Sequence, residues 1–170
     1  MIRPICWGTL IVVGTTLLQS ALSERGNAGP REQQLPGARP AIDASEFPSL
    51  RAALDALPDE GGVVRIPPWT FDVSEPLVLT CMQDVLIEGA GTATHIRNVN
   101  TEGEPALVIR AKEATDGDDI RQWRIHLSNF RVTGNEQSGH GIVAERANEL
   151  YVEGVTVSYH AGDGLRLDHC

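Results

Sequence analysis

Of the 170 residues, 41% are hydrophobic, 22% charged and only 5% aromatic, which suits one ordinary domain with a real core. Lys and Arg number 14 against 23 Asp and Glu, a formal net charge of −9, and Lys112 is the single lysine. No polybasic run exists, so phosphate backbones and anionic membranes would repel the chain, and nucleic acid is excluded as a partner.

The chain opens with what reads as an export signal. Arg3 is the only charge before Glu24, and between them lies an apolar stretch from Ile5 to Leu18. About fourteen residues is signal-peptide length and falls short of the roughly twenty that span a bilayer. A secreted or periplasmic protein without stable membrane insertion is therefore expected, a retained anchor being the alternative. Ala21 and Ser23 fit the −3 and −1 positions of a cut after Ser23; a cut after Ala28 is the second choice. Cys6 precedes the apolar run, which argues against a lipid-anchored cysteine. Cleavage leaves Cys81 and Cys170, too few for a disulfide framework and without the spacing of a zinc site. The simplest reading is two unrelated thiols, with Cys81 packed as a small hydrophobe.

Residues 24–40, rich in Gly, Pro, Arg, Glu and Gln, read as a disordered leader. One helix is predicted next, because Leu50, Ala53, Leu54 and Leu57 share a face. Ser45 or a neighbour can cap it, Pro48 is expected in its first turn, and Pro58 with Asp59 to Gly62 ends it.

After Gly62 the apolar period becomes two. Val64/Ile66, Phe71/Val73, Leu77/Leu79, Val85/Ile87, Leu107/Ile109 and Ile125/Leu127 alternate between turn residues. The same grammar continues through Phe130/Val132, Ile142/Ala144, Leu150/Val152, Val155/Val157 and Leu165/Leu167. An internal repeat decides how the strands stack. The segment from Ile125 to Val132 matches Leu150 to Val157 at an offset of 25, and Gly139 to Ala144 matches Gly162 to Leu167 at an offset of 23. Self-similarity at this period means a solenoid, and a solenoid of strands is a β-helix. Asn129 and Gly154 share one repeat position in a two-residue corner, where a positive φ is expected. The polar insertions Asn98 to Glu104 and Glu113 to Asp119 are expected as surface loops.

Ser49 to Leu54, Gly61 to Phe71, Pro76 to Leu79 and Val85 to Gly91 together resemble the N-terminal part of the pectin-lyase-like superfamily, which includes the pectate lyases. The resemblance implies an all-β, right-handed parallel β-helix with an N-terminal capping α-helix, running from residue 41 to 170. Where many relatives carry an acidic Gly-rich motif ahead of the plug helix, this chain reads Ala41 to Phe47 without it. The chain ends at Asp168-His169-Cys170 with no polar cap, so the segment 41–170 is expected to be the N-terminal part of a longer domain.

Enzymes of this kind bind polysaccharides along their first sheet and act as lyases, hydrolases or epimerases, often with calcium. The resemblance also places the Asn129 and Gly154 corner between the second and third sheets, so Ile142/Ala144 and Leu165/Leu167 fall on the first. Outward-facing there are Val143, Glu145, Arg166 and Asp168, with Val108 and Arg110 one turn earlier. Asp163, Arg166 and Asp168 are the catalytic candidates, and His140, Glu145 and Arg110 the substrate-binding ones. A carboxylate beside an arginine holds a uronate or supplies acid–base chemistry; the ordinary alternative is a solvated outer face. Gly139-His140-Gly141 invites comparison with polygalacturonases, but its order relative to Gly162-Asp163-Gly164 is reversed, and a turn accounts for the glycines. His126, His160 and His169 lack ligand spacing and are expected at the surface. The reading is a secreted carbohydrate-active protein for a polyuronate or related glycan; the alternatives are a non-catalytic binding or adhesin module and an inactive truncated product.

Overall fold

A computed structural model describes residues 38–81, 83–112 and 120–170. The expected signal segment 1–23, most of the leader and the insertion 113–119 lie outside the described residues.

The strands run β1 (Ala41–Asp43), β2 (Gly62–Arg65), β3 (Thr70–Val73), β4 (Leu77–Leu79), β5 (Gln83–Glu88), β6 (His95–Asn98) and β7 (Leu107–Ile109). They continue through β8 (Gln122–Ser128), β9 (Arg131–Thr133), β10 (Ile142–Glu145), β11 (Ala147–Glu153), β12 (Thr156–Ser158) and β13 (Leu165–Asp168). One α-helix, α1 (Leu50–Asp55), lies between β1 and β2. Three sheets result, and every described pairing is parallel. The first sheet has the order β13-β10-β7-β4, the second β1-β2-β5-β8-β11 and the third β12-β9-β6-β3. From β2 onward the chain visits second, third and first sheet in strict rotation, so each circuit lays three strands on the three before it. The protein is an all-β parallel fold with very little helix.

The repeats match this register. Ile125 pairs with Leu150, and Ile142 with Leu165. Inward residues of all three sheets meet in one core that includes Val64, Leu79, Val85, Ile96, Ile109, Ile125, Phe130 and Ile142. Two strands escape the alternation rule. In β6 only Ile96 is apolar among the inward positions, because buried Asn98 takes the other. In β1 only Ile42 marks a strand of three residues.

Helix α1 buries Leu50, Ala53 and Leu54 and packs against β4, with Leu57 just beyond its end in the same core. Its cap is Ser49, whose Oγ accepts the Ala52 N–H at 3.1 Å. Pro48 therefore precedes the cap rather than occupying the first turn, and Ser45 belongs to a separate 3-10 turn over Ala44–Glu46. Gly61, at φ 92, turns the chain into β2.

The insertion after β6 is no simple surface loop. Asn98 and Asn100 are buried and organise it. Asn100 Oδ1 accepts the backbone N–H groups of Glu102 and Glu104, while Asn98 Oδ1 accepts that of Asn100. From the next circuit, Asn135 Nδ2 donates to the Asn98 and Asn100 carbonyls. Side-chain amides take the place of a strand ladder here, which is why a polar segment folds back against the sheet.

Candidate functional site

The outer face of the first sheet carries the predicted residues in two columns. Val78, Val108, Val143 and Arg166 are register partners along β4, β7, β10 and β13. Val108 and Val143 face outward yet are each only 7% exposed, so an apolar seam runs up the middle of this face. Two residues on, Glu145 pairs with Asp168, and Arg110 follows Ile109, the partner of Ala144.

At the β13 end, four of the six predicted side chains converge. Arg166 Nε donates to both Asp168 oxygens, at 3.2 and 3.0 Å, and its Nη1 lies 3.4 Å from His140 Nε2. His140 Nδ1 accepts the Asp163 N–H at 2.9 Å, with the Asp163 carboxylate 3.6 Å away. That acceptor role puts the proton of the neutral ring on Nε2, so the 3.4 Å approach of Arg166 Nη1 is a close contact of two donors and not a hydrogen bond. Glu145 stands beside Asp168 in register, whereas Arg110 lies a circuit farther down the sheet in a separate cleft.

The flanking glycines serve close approach rather than a left-handed turn. A Cβ at Gly139 would overlap the Gly103 carbonyl, and one at Gly141 would meet Val157 and the Gly164 carbonyl. His160, expected at the surface, is half-buried: its Nδ1 lies 3.4 Å from Ser138 Oγ, and Nε2 is buried without a protein partner. Burial, then the neighbouring His140, lowers its pKa below the ordinary histidine value. His126 is part-exposed, its ring 5.9 Å from that of Tyr151.

Sequence reasoning missed the larger part of this face. Beside α1 lies a cleft of about 720 Å³, floored by Val78 and Val108 and walled by Arg51, Arg110, Glu75, Glu102 and Glu104. Arg51 donates to the Pro76 carbonyl at 2.7 Å and reaches Glu75 at 3.4 Å. Glu102 and Glu104 enter the wall because the Asn98–Asn100 turns fold their loop against the sheet. A second cleft of about 390 Å³ shares Arg51, Ser74 and Glu75 with the first and is bounded on its far side by Trp69 and Asp72. The one signal for it in the sequence was an exposed-looking Trp next to Pro67-Pro68.

Calcium, which the family resemblance implies, has no cage of side-chain carboxylates among the described residues. Among the described residues no group of three or more His, Cys, Asp or Glu side chains is placed to hold a metal ion. Asp168 is taken up by Arg166, and Asp163 faces His140, so these carboxylates do not converge. The described residues include no helix long and apolar enough to cross a membrane.

No family model matches the chain, and no curated protein matches it. Among solved structures it is similar to ORF18 of Geobacillus virus E2, at 19% sequence identity over 74% of this chain and with a TM-score of 0.67. The chain spans 27% of the length of that protein, and the likeness is one of fold.

Proposed function

We propose that this protein is an exported right-handed parallel β-helix that binds a glycan along the outer face of its first sheet, polyuronates and related polysaccharides being the class considered. The observation that carries the reading is the continuity of that face. An apolar seam, Val78–Val108–Val143, leads from a cleft walled by Arg and Glu to the cluster of His140, Asp163, Arg166 and Asp168. Sugars are edged with hydroxyls, which suits charged hydrogen-bonding groups ranged along such a face, the seam beneath them being largely buried.

In such a complex Arg166 and Arg110 would donate to ring or carboxylate oxygens, and Glu145, Glu102 and Glu104 would accept from hydroxyls. For His140, Asp163 or Asp168 to serve lyase, hydrolase or epimerase chemistry, each would have to be freed from its present partner. The Arg166–Asp168 ion pair therefore favours the second reading, a binding module without chemistry, for this part of the face.

Titration calorimetry of the full chain against a panel of plant and bacterial oligosaccharides tests the reading. Binding that weakens about tenfold or more in an Arg110→Ala, Arg166→Ala double variant supports it. Retention of full affinity in that variant refutes the placement. Release of unsaturated uronate or new reducing ends would add catalysis to binding.

A further inference from the structure

Resting on the glycan reading above, we infer that the sugar units seated beside α1 are uncharged, and that Trp69 is the stacking platform that holds them. Arg51, Ser74 and Glu75 line both clefts, so the two adjoin across that ridge, and a chain laid over it would follow a track from Trp69 to Arg110. Arg51 and Arg110 face three glutamates in the larger cleft, Glu75, Glu102 and Glu104. Arg51 is already committed to Glu75 and the Pro76 carbonyl, which leaves Arg110 against two carboxylates. In the smaller cleft Asp72 is matched by Arg97 at 2.6 Å. A polyanion laid in this track would therefore meet net negative charge, while a polyol would find acceptors in Glu102 and Glu104 and a donor in Arg110.

Trp69 supplies the apolar half of such recognition. It is 69% exposed, far more than a tryptophan with a structural role needs. It follows Pro67 and Pro68 and borders a hollow lined by those prolines, Phe47 and Phe71, so its backbone is held before any ligand arrives. An exposed indole bordering a polar cleft is suited to the C–H face of a pyranose. The opposite wall is equally prepared, because the Asn98, Asn100 and Asn135 amides hold the loop bearing Glu102 and Glu104.

The test is a matched panel of neutral hexasaccharides (gluco-, xylo-, manno- and galacto-) and hexameric oligogalacturonate and oligomannuronate, titrated into the full chain. A neutral hexasaccharide is expected to bind at least tenfold tighter than either uronate at low salt, the gap narrowing as salt screens the glutamates. Trp69→Ala should weaken that binding at least tenfold and Trp69→Phe only a few-fold, whereas Glu102→Gln with Glu104→Gln should improve uronate binding. Tighter binding of oligogalacturonate, or full affinity in Trp69→Ala, overturns this inference and leaves the glycan reading standing. Failure to hold any sugar of either kind overturns both.

Discussion

Asn129 and Gly154 occupy the same corner on successive circuits, at φ 58 and 62, and the Cβ that Gly154 lacks would fall 2.6 Å from Asn129 Oδ1. The Asn129 N–H donates to the Glu153 carbonyl at 3.0 Å, tying the two corners together. Each corner turns the chain from the second sheet into the third within two residues. Only a left-handed residue makes so sharp a turn, and Asn and Gly adopt that conformation at the lowest cost.

Gly154→Ala should therefore destabilise the protein by about 1–2 kcal/mol, combining left-handed strain with crowding against Asn129. Asn129→Gly should cost less, because the backbone keeps its freedom. Chemical denaturation of the two variants checks the order; equal midpoints, or a more sensitive Asn129, would contradict the shared corner.

How much of this was legible in the sequence depends on which force set each feature. The registers of Ile125 with Leu150 and Ile142 with Leu165 could be read directly, because a packed repeat needs the same apolar spacing on every circuit. The convergence of His140, Asp163, Arg166 and Asp168 followed from that register. The cleft beside α1 did not, since it is made by a loop whose fold rests on side-chain amides, and Asn98 and Asn100 in a polar stretch look the same in an open loop as in one tied down by the distant Asn135. Asp84, Arg124 and Glu149 were illegible for a related reason. All three are left-handed, at φ 54, 55 and 55, yet of them only Asp84 is a residue type that favours this conformation. They are held by a ladder of charge, Arg124 bonding Asp84 at 2.6 Å and reaching Glu149 at 4.0 Å.

Helix α1 is expected to matter far beyond its six residues. Leu54 is buried in the core that Val64 and Ile66 share, and Leu54→Asp places a charge there without a partner. A loss of about 3 kcal/mol or more is expected, whereas Arg51→Ala on the outer side of the same helix should change stability by less than about 1 kcal/mol. Thermal unfolding of Leu54→Asp that matches the parent would remove α1 from the core.

Acid should weaken the fold in two steps. His95 and His160 both lie below the ordinary histidine value, chiefly through burial. The unfolded chain then binds protons that the folded one refuses, so stability begins to fall as pH drops through about 6.5. Hydrogen bonds from Arg97 and Arg124 hold the Asp72 and Asp84 carboxyls below their usual range. Their contribution is whole above about pH 4 and is lost as pH falls through the folded values. Denaturant midpoints measured from pH 8 to pH 2 should show both declines, and Asp72→Asn with Asp84→Asn should flatten the lower one alone. A profile unchanged by that pair would mean the two ion pairs add nothing to stability.

The two described thiols should differ sharply in reactivity. Cys81 is buried beneath Leu57, whose carbonyl lies 3.9 Å from its sulfur, and burial, aided by the charge of Asp59, pushes the thiol up to about 11. The thiolate is the nucleophile, so at pH 8 only about one Cys81 in a thousand is reactive even before access is considered. Cys170 is exposed on the last circuit. Iodoacetamide at pH 8 should alkylate Cys170 in the native protein while sparing Cys81 at least a hundredfold, and denaturant should abolish the difference. Peptide mass mapping assigns each adduct by residue. Comparable labelling of Cys81 in the native state would show that the core between Leu57 and Gln122, whose amide bonds the Cys81 carbonyl at 2.6 Å, opens to solvent.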